Sequence, residues 1–250
     1  MIYPSELERI IFEIAPFEMA EEWDNVGLLI DCGNSTDKVL FSLDASLEAI
    51  SEAEELGCKI IVSHHPVIFH PLKRIISGSA VETAIRKGIS VISAHTNFDS
   101  AEGGINDVLS KLLGLEEVVI VEHMPRVGYI PNGPVPLEEF AGYVKEKLSI
   151  PSVSIADAGL PVKKVMILGG AGGSYFRIAK SHGCDTLLTG EASHDEGVDA
   201  KALGVNIVVA GHYGTENPGM PAFCDLVRKK IGNKAECILS RRNCDPYYSK

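Results

Sequence analysis

The chain contains no run approaching about 18 uncharged apolar residues, so no transmembrane helix is expected. It has no C-x-x-C pair. Its six cysteines (Cys32, Cys58, Cys184, Cys224, Cys237 and Cys244) are scattered over 250 residues. Cysteines so placed read as reduced, mostly buried thiols rather than a disulfide framework, which points to the cytoplasm. Basic residues are in deficit, 23 against 34 acidic ones, for a formal net charge of −11. That balance argues against broad binding to nucleic acid or to anionic membranes, and it suits attraction of divalent cations. The opening segment has neither a basic stretch nor an unbroken apolar core, since Glu6, Glu8, Arg9 and Glu13 interrupt it, and it is not read as a signal peptide.

At 45% hydrophobic and 23% charged residues the composition is that of a globular protein, long enough for one large α/β domain or two smaller ones. Apolar residues recur at helical spacing over 5–15, starting from Ser5 as a plausible N-cap. After the short strand of WDNVGLLID, strands and helices alternate. Strands are expected at 38–44, 59–63, 89–94 and 116–122, with helices at 47–57, 79–88 and 103–114. A break falls at His123-Met124-Pro125, followed by the Gly- and Pro-rich RVGYIPNGPVP. A helix, LEEFAGYVKEKLS, then leads into strands at 163–170, 185–190 and 205–211 and helices at 174–183 and 194–204. Continuous Val/Ile runs between helices are what a mostly parallel sheet covered on both faces requires. Two α/β domains, 1–124 and 125–250, are therefore expected.

The two halves resemble each other. Val39 precedes Gly57-Cys58 by 18 residues, as Val165 precedes Gly183-Cys184, and each pair opens a strand. Further on, GISVISA leads to His95-x-x-x-Asp99, and GVNIVVA leads, after Gly211, to His212-x-x-x-Glu216. The intervening distances differ by ten residues, so the relation is that of a diverged duplication.

Ligands in open α/β sheets bind beyond the carboxyl ends of strands. His64 and His65 end one strand, His95 and Asp99 follow a second, and His212 and Glu216 follow a third. Adjacent strand residues point to opposite faces, and Pro66 keeps His65 extended, so two splayed imidazoles at a strand tip fit two neighbouring ions better than one. The four-residue gaps to Asp99 and Glu216 correspond to one helical turn, although Gly214 and Pro218 make a tight loop the alternative at the second. Carboxylates can bridge ions held about 3.5–4 Å apart. One histidine near a strand end is more often a satisfied polar residue than a ligand. Four histidines and two acids, all at strand ends, are harder to explain that way.

Other features read more plainly. GGAGGS (169–174) lies between a strand and a helix but lacks a Lys-Ser/Thr, so it reads as a tight turn, with a substrate phosphate as the alternative. Glu191, His194, Asp195 and Glu196 read as a capped, solvated helix start. Asp24 and Asn25 read as a turn that could line the site, and Asp44 as a support for it; His70, His123 and His182 receive no role.

WDNVGLL, SHHPVIF, AHTNFDSAEGGIND and GHYGTEN together, in this order across 23–217, resemble the dinuclear-metal-centre proteins called GTP cyclohydrolase 1 type 2 homologues, the YbgI-like family. The resemblance implies two interlinked α/β domains, a toroidal homohexamer, and a two-metal site in the cleft between domains. It implies His64, His65, Asp99, His212 and Glu216 as metal ligands, and His95 as a site residue close to the metals. The stretch between Met124 and Lys163 is too short for the domain that some members carry there. The expected activity is metal-dependent hydrolysis of a small polar substrate, with a nucleotide suggested by the family's name and His95 as proton shuttle. Nitrogen and oxygen ligands without sulfur suit zinc, iron, manganese or nickel. A non-catalytic metal-binding oligomer or scaffold is the alternative, and a nucleic-acid-associated ring a weaker one.

Overall fold

The computed structural model describes residues 1–242 and 245–247. Five cysteines lie among these and are free thiols, while Cys244 lies outside the described residues. In chain order the elements are α1 (Pro4–Ile14), β1 (Gly27–Ile30), β2 (Lys38–Ser42), α2 (Leu47–Leu56), β3 (Ile60–Ser63), α3 (Ala80–Lys87), β4 (Ser90–Ser93), α4 (Thr96–Ser100), α5 (Ile105–Leu112) and β5 (Glu116–Ile120). They continue with β6 (Arg126–Tyr129), α6 (Leu137–Lys147), β7 (Ser154–Ala156), β8 (Lys164–Leu168), α7 (Phe176–Ser181), β9 (Thr186–Thr189), α8 (His194–Ala202), β10 (Asn206–Val209), α9 (His212–Glu216), α10 (Met220–Ile231) and β11 (Glu236–Leu239).

The fold is α/β with two sheets in two compact units. The first unit comprises Met1–Gly104 together with Met220–Pro246, and Ile105–Gly219 forms the second. The division therefore does not fall at Met124/Pro125. That break is a tight turn, with Glu122 and His123 at positive φ, joining β5 to β6 in an antiparallel hairpin. The chain returns to the first unit at its far end because β11 pairs in parallel with β2, Cys237 opposite Val39, and Phe223 of α10 stacks on Phe98 and meets Phe41 edge-on.

The first sheet has the order β1-β4-β3-β2-β11, parallel except for β1, which runs antiparallel to β4. Every residue of β3 and β4 is buried, which explains their unbroken apolar runs. The connecting helices are capped at both ends. Ser46 caps α2 by accepting from the Ala49 N–H, Ser79 caps α3 through the Glu82 N–H, and both helices close on a left-handed glycine, Gly57 and Gly88.

The second sheet has the order β5-β6-β8-β9-β10-β7; only β8, β9 and β10 pair in parallel. This sheet is more mixed than the sequence suggests. RVGYIPNGPVP contains β6, a buried strand, and β5 is an exposed edge rather than a buried run. Both faces of the sheet are covered. Val165, Ile167, Leu188 and Val208 pack with Leu109 and Phe140 on one face, while Met166, Leu187 and Ile207 pack with Phe176 and Ala179 on the other. The sets β2-β3-β4 and β8-β9-β10, each parallel and in sequence order, are compatible with duplication. Among the described residues no helix is long and apolar enough to cross a membrane.

Candidate metal centre

In the first unit β3 runs directly into His64 and His65. The His64 N–H donates to the Leu43 carbonyl at 3.1 Å and the His65 N–H to the same oxygen at 3.0 Å, so the pair stays pinned to the strand beside it. Their rings lie 5.1 Å apart and tilted by 46°. They are anchored differently. His64 Nδ1 is 2.9 Å from the Ala94 carbonyl oxygen, and His65 Nδ1 is 2.8 Å from Asp44 Oδ1.

The strand β4 delivers His95 in the same way, and α4 begins beside it. The Asp99 N–H donates to the His95 carbonyl at 3.0 Å, which confirms one helical turn between the two residues. His64 is fully buried and Asp99 nearly so, and Asp99 Oδ1 stands 3.6 Å from His64 Nε2. Ring nitrogens of His64, His65 and His95 all lie within 4.8 Å of one another.

His95 is oriented by Asp24, whose Oδ1 is 2.9 Å from His95 Nδ1. The other Asp24 oxygen accepts from the Thr96 N–H at 3.0 Å and from the Thr96 hydroxyl. Burial pushes the Asp24 carboxyl up. The hydrogen bond and charge of His95, with the two Thr96 donors, outweigh burial and hold the group down at about 2.

In the second unit His212 opens α9 and Glu216 ends it. A regular helix does form here. Pro218 stands beyond its last residue, and a Cβ at position 214 would come within 2.8 Å of Ile150 Cγ2, so Gly214 serves close packing rather than a loop. His212 Nε2 is 3.1 Å from Glu216 Oε2, and His212 Nδ1 is 3.0 Å from Glu191 Oε1. Glu216 is buried, with only 3% of its surface exposed.

The GGAGGS loop makes room for that carboxylate. Gly170 has φ +63°, and a Cβ there would sit 2.2 Å from Glu216 Oε1. The Gly170 N–H donates to the Thr215 hydroxyl at 3.1 Å, and the Gly169 N–H donates to Asn106 Oδ1 at 2.9 Å. The loop is a tight turn, as its sequence suggests, with a specific purpose in the site. Ser193 and Glu196 form a capping box at the start of α8, so this part of the acidic cluster is a helix cap.

One rule covers all four histidines. Each Nδ1 faces an oxygen that accepts: the Ala94 carbonyl, Asp44, Asp24 and Glu191. A carbonyl or carboxylate cannot donate, so the neutral ring carries its proton on Nδ1 and its lone pair on Nε2. Histidines that bind metals are held in this way. His212 Nε2 stands 3.1 Å from Glu216 Oε2, an ion pair when the ring is protonated and a pair of donors for one cation when it is neutral. Two ligands each about 2.1 Å from one ion, and at about right angles around it, stand about 3 Å apart. Buried carboxylates such as Asp99 and Glu216 also persist only when paired or coordinating. The residues fit divalent cations.

Of the residues proposed from sequence, His64, His65, His95 and Asp99 come together in the first unit, and His212 and Glu216 in the second. Glu191 carries a role that its sequence context conceals, since it also resembles a solvated residue at a helix start. The signal lies in the repeat, where Ser63-His64-His65 corresponds to Thr189-Gly190-Glu191.

The fold and the donor set define an α/β protein with candidate metal ligands at its strand ends. The family described as Duf34/NIF3 (NGG1p interacting factor 3) matches residues 3–246, and the chain belongs to it. The chain is 32% identical to the GTP cyclohydrolase 1 type 2 homolog of Clostridium perfringens, over 97% of this chain and 98% of the relative. It is likewise 32% identical to the NGG1-interacting factor 3 of Saccharomyces cerevisiae, over 96% and 95%. The crystal structure of a Bacillus cereus protein related to NIF3 shares the fold, with a TM-score of 0.92 at 23% identity and coverage of 100% of this chain and 99% of that one.

Proposed function

We propose that the chain binds two divalent cations through His64, His65, Asp99, His212 and Glu216, and acts as a metal-dependent hydrolase on a small polar substrate. The observation that carries this reading is the common anchoring of the four histidines, each with Nδ1 on an acceptor. The name of the Clostridium relative suggests a nucleotide as substrate. The working form is a toroidal homohexamer in the cytoplasm, with no membrane and no nucleic-acid partner.

Bound there, the ions supply Lewis acidity toward an oxygen or nitrogen of the substrate. His95 carries the proton. Asp24 fixes its Nδ1–H, which leaves Nε2 to take up or return a proton on the side of the other two histidines.

The test loads metal-free protein separately with zinc, iron, manganese and nickel and counts bound ions per chain. The loaded forms are then screened against nucleotides and cyclic amides. Two ions per chain, and a turnover that His95→Ala abolishes while the ions stay, are expected. A chain that takes up no ion overturns the reading. Ions that bind without any turnover reduce it to metal storage.

A further inference from the structure

We infer that Trp23 and Phe69 form an aromatic platform that recognises a planar heteroaromatic ring, that of a nucleobase, beside the histidine cluster. The inference rests on reading that cluster as a metal centre, and it names the class of substrate the centre serves. Trp23 is the sole tryptophan of the chain, and more than half of its surface, 59%, is exposed; Phe69 is 39% exposed. Leaving such rings in water forgoes much of the gain from burying them. Both are nonetheless held in place. Trp23 precedes Asp24, which is bonded to His95 and Thr96, and the side-chain amide of Asn25 donates to the Ile68 carbonyl at 2.5 Å, tying the WDN segment to the one bearing Phe69.

The two rings lie 5.8 Å apart at 46°, too close for a third ring to slide between them. Each meets His95 edge-on, at 6.3 Å and at 75° or 79°. A ring therefore stacks on the outer surface of the pair, with its polar substituents toward His95. Base–aromatic stacking of this kind tolerates any base, because every base has a π-face. A cationic ligand is disfavoured by divalent ions next door, even though aromatic faces attract cations. The segment 66–81 contains no acidic residue and carries exposed Lys73 and Arg74, whereas Glu21 and Glu22 precede Trp23, so an anionic tail on the ring is expected to point to the Phe69 side.

The single tryptophan is its own reporter. Full-length protein loaded with manganese or zinc is titrated with adenosine 5′-monophosphate and guanosine 5′-monophosphate, with ribose 5-phosphate as the ringless control, and Trp23 emission is followed. Saturable quenching by the nucleotides and not by the control is expected. By calorimetry, Trp23→Ala and Phe69→Ala each weaken nucleotide binding about ten-fold, and Trp23→Phe restores most of it. The ions counted per chain stay unchanged in all three variants. Quenching by neither nucleotide, equal quenching by ribose 5-phosphate, or alanine variants that bind as the parent does overturns the platform. So does an emission shift that follows protein concentration instead of nucleotide, which marks the rings as a self-contact. Metal content measured on the same samples separates the two readings: ions without ring binding remove the platform alone, and a chain without ions removes the metal centre.

Discussion

The two units present metal-competent donors by different means. The first takes three imidazoles from two parallel strand ends, β3 and β4, and a carboxylate, Asp99, from the helical turn α4 that follows β4. The second places one imidazole and one carboxylate on a single helical turn, α9, and relies on glycine to leave space for the acid. His64 is wholly buried, whereas the side chain of His212 is 35% exposed. Strand ends fix a donor through the backbone hydrogen bonds of the sheet. A short helix fixes its donors through the i, i+4 spacing and needs a loop shaped to receive them. The histidine and the acid one helical turn later recur after β4 and β10, and the first unit adds a second strand end bearing His64 and His65.

Deleting one donor from each unit tests whether both are needed. His64→Ala and Glu216→Ala should each lower the affinity for at least one ion by more than the roughly 100-fold that loss of a supporting hydrogen bond costs, measured by calorimetry with zinc. If only the first has an effect, the first unit binds metal alone. The supporting carboxylates sharpen the contrast. Asp44→Asn and Glu191→Gln should each weaken metal binding about 10–100-fold, and the effect should be greater at Asp44, because Glu191 is more exposed.

The next effects are on stability. Gly170→Ala puts a Cβ against the Glu216 carboxylate at positive φ and should cost about 2–3 kcal/mol in urea unfolding. Asp24 gives a pH signature specific to the first unit. Its carboxyl titrates lower when folded, about 2, than its ordinary value of 3.8, so its contribution is complete above 3.8 and is lost as pH falls through about 2. That contribution is about 2 kcal/mol, and Asp24→Asn should flatten this part of the acid-unfolding curve. The smallest effect belongs to Ser193→Ala, which removes the α8 cap. It should cost about 1 kcal/mol by thermal unfolding and leave metal affinity as it was.

Much of the fold is legible in the chain. Residues 38–42, 60–63 and 90–93 are strands because their Val/Ile runs suit nothing but a buried sheet, and Ser46, Ser79, Gly57 and Gly88 mark helix ends by chemistry alone. The strand in 126–129 is concealed by nearby Gly and Pro residues, and it is identified only by its pairing with β8. The place of 220–239 in the first unit depends on β2 and Phe41, about 180 residues earlier, which no local pattern encodes.

What the sequence determined by itself is the inventory: which strands end in histidine, which acids follow one turn later, and to which family the motifs belong. Those are properties of short segments, where period and residue type suffice. The tertiary structure decided how each donor is aimed. The bonds from His64, His65, His95 and His212 to Ala94, Asp44, Asp24 and Glu191 join residues 21 to 71 positions apart. Such bonds form only after the sheets have brought their strand ends together, since closing those loops costs entropy that local preference cannot repay.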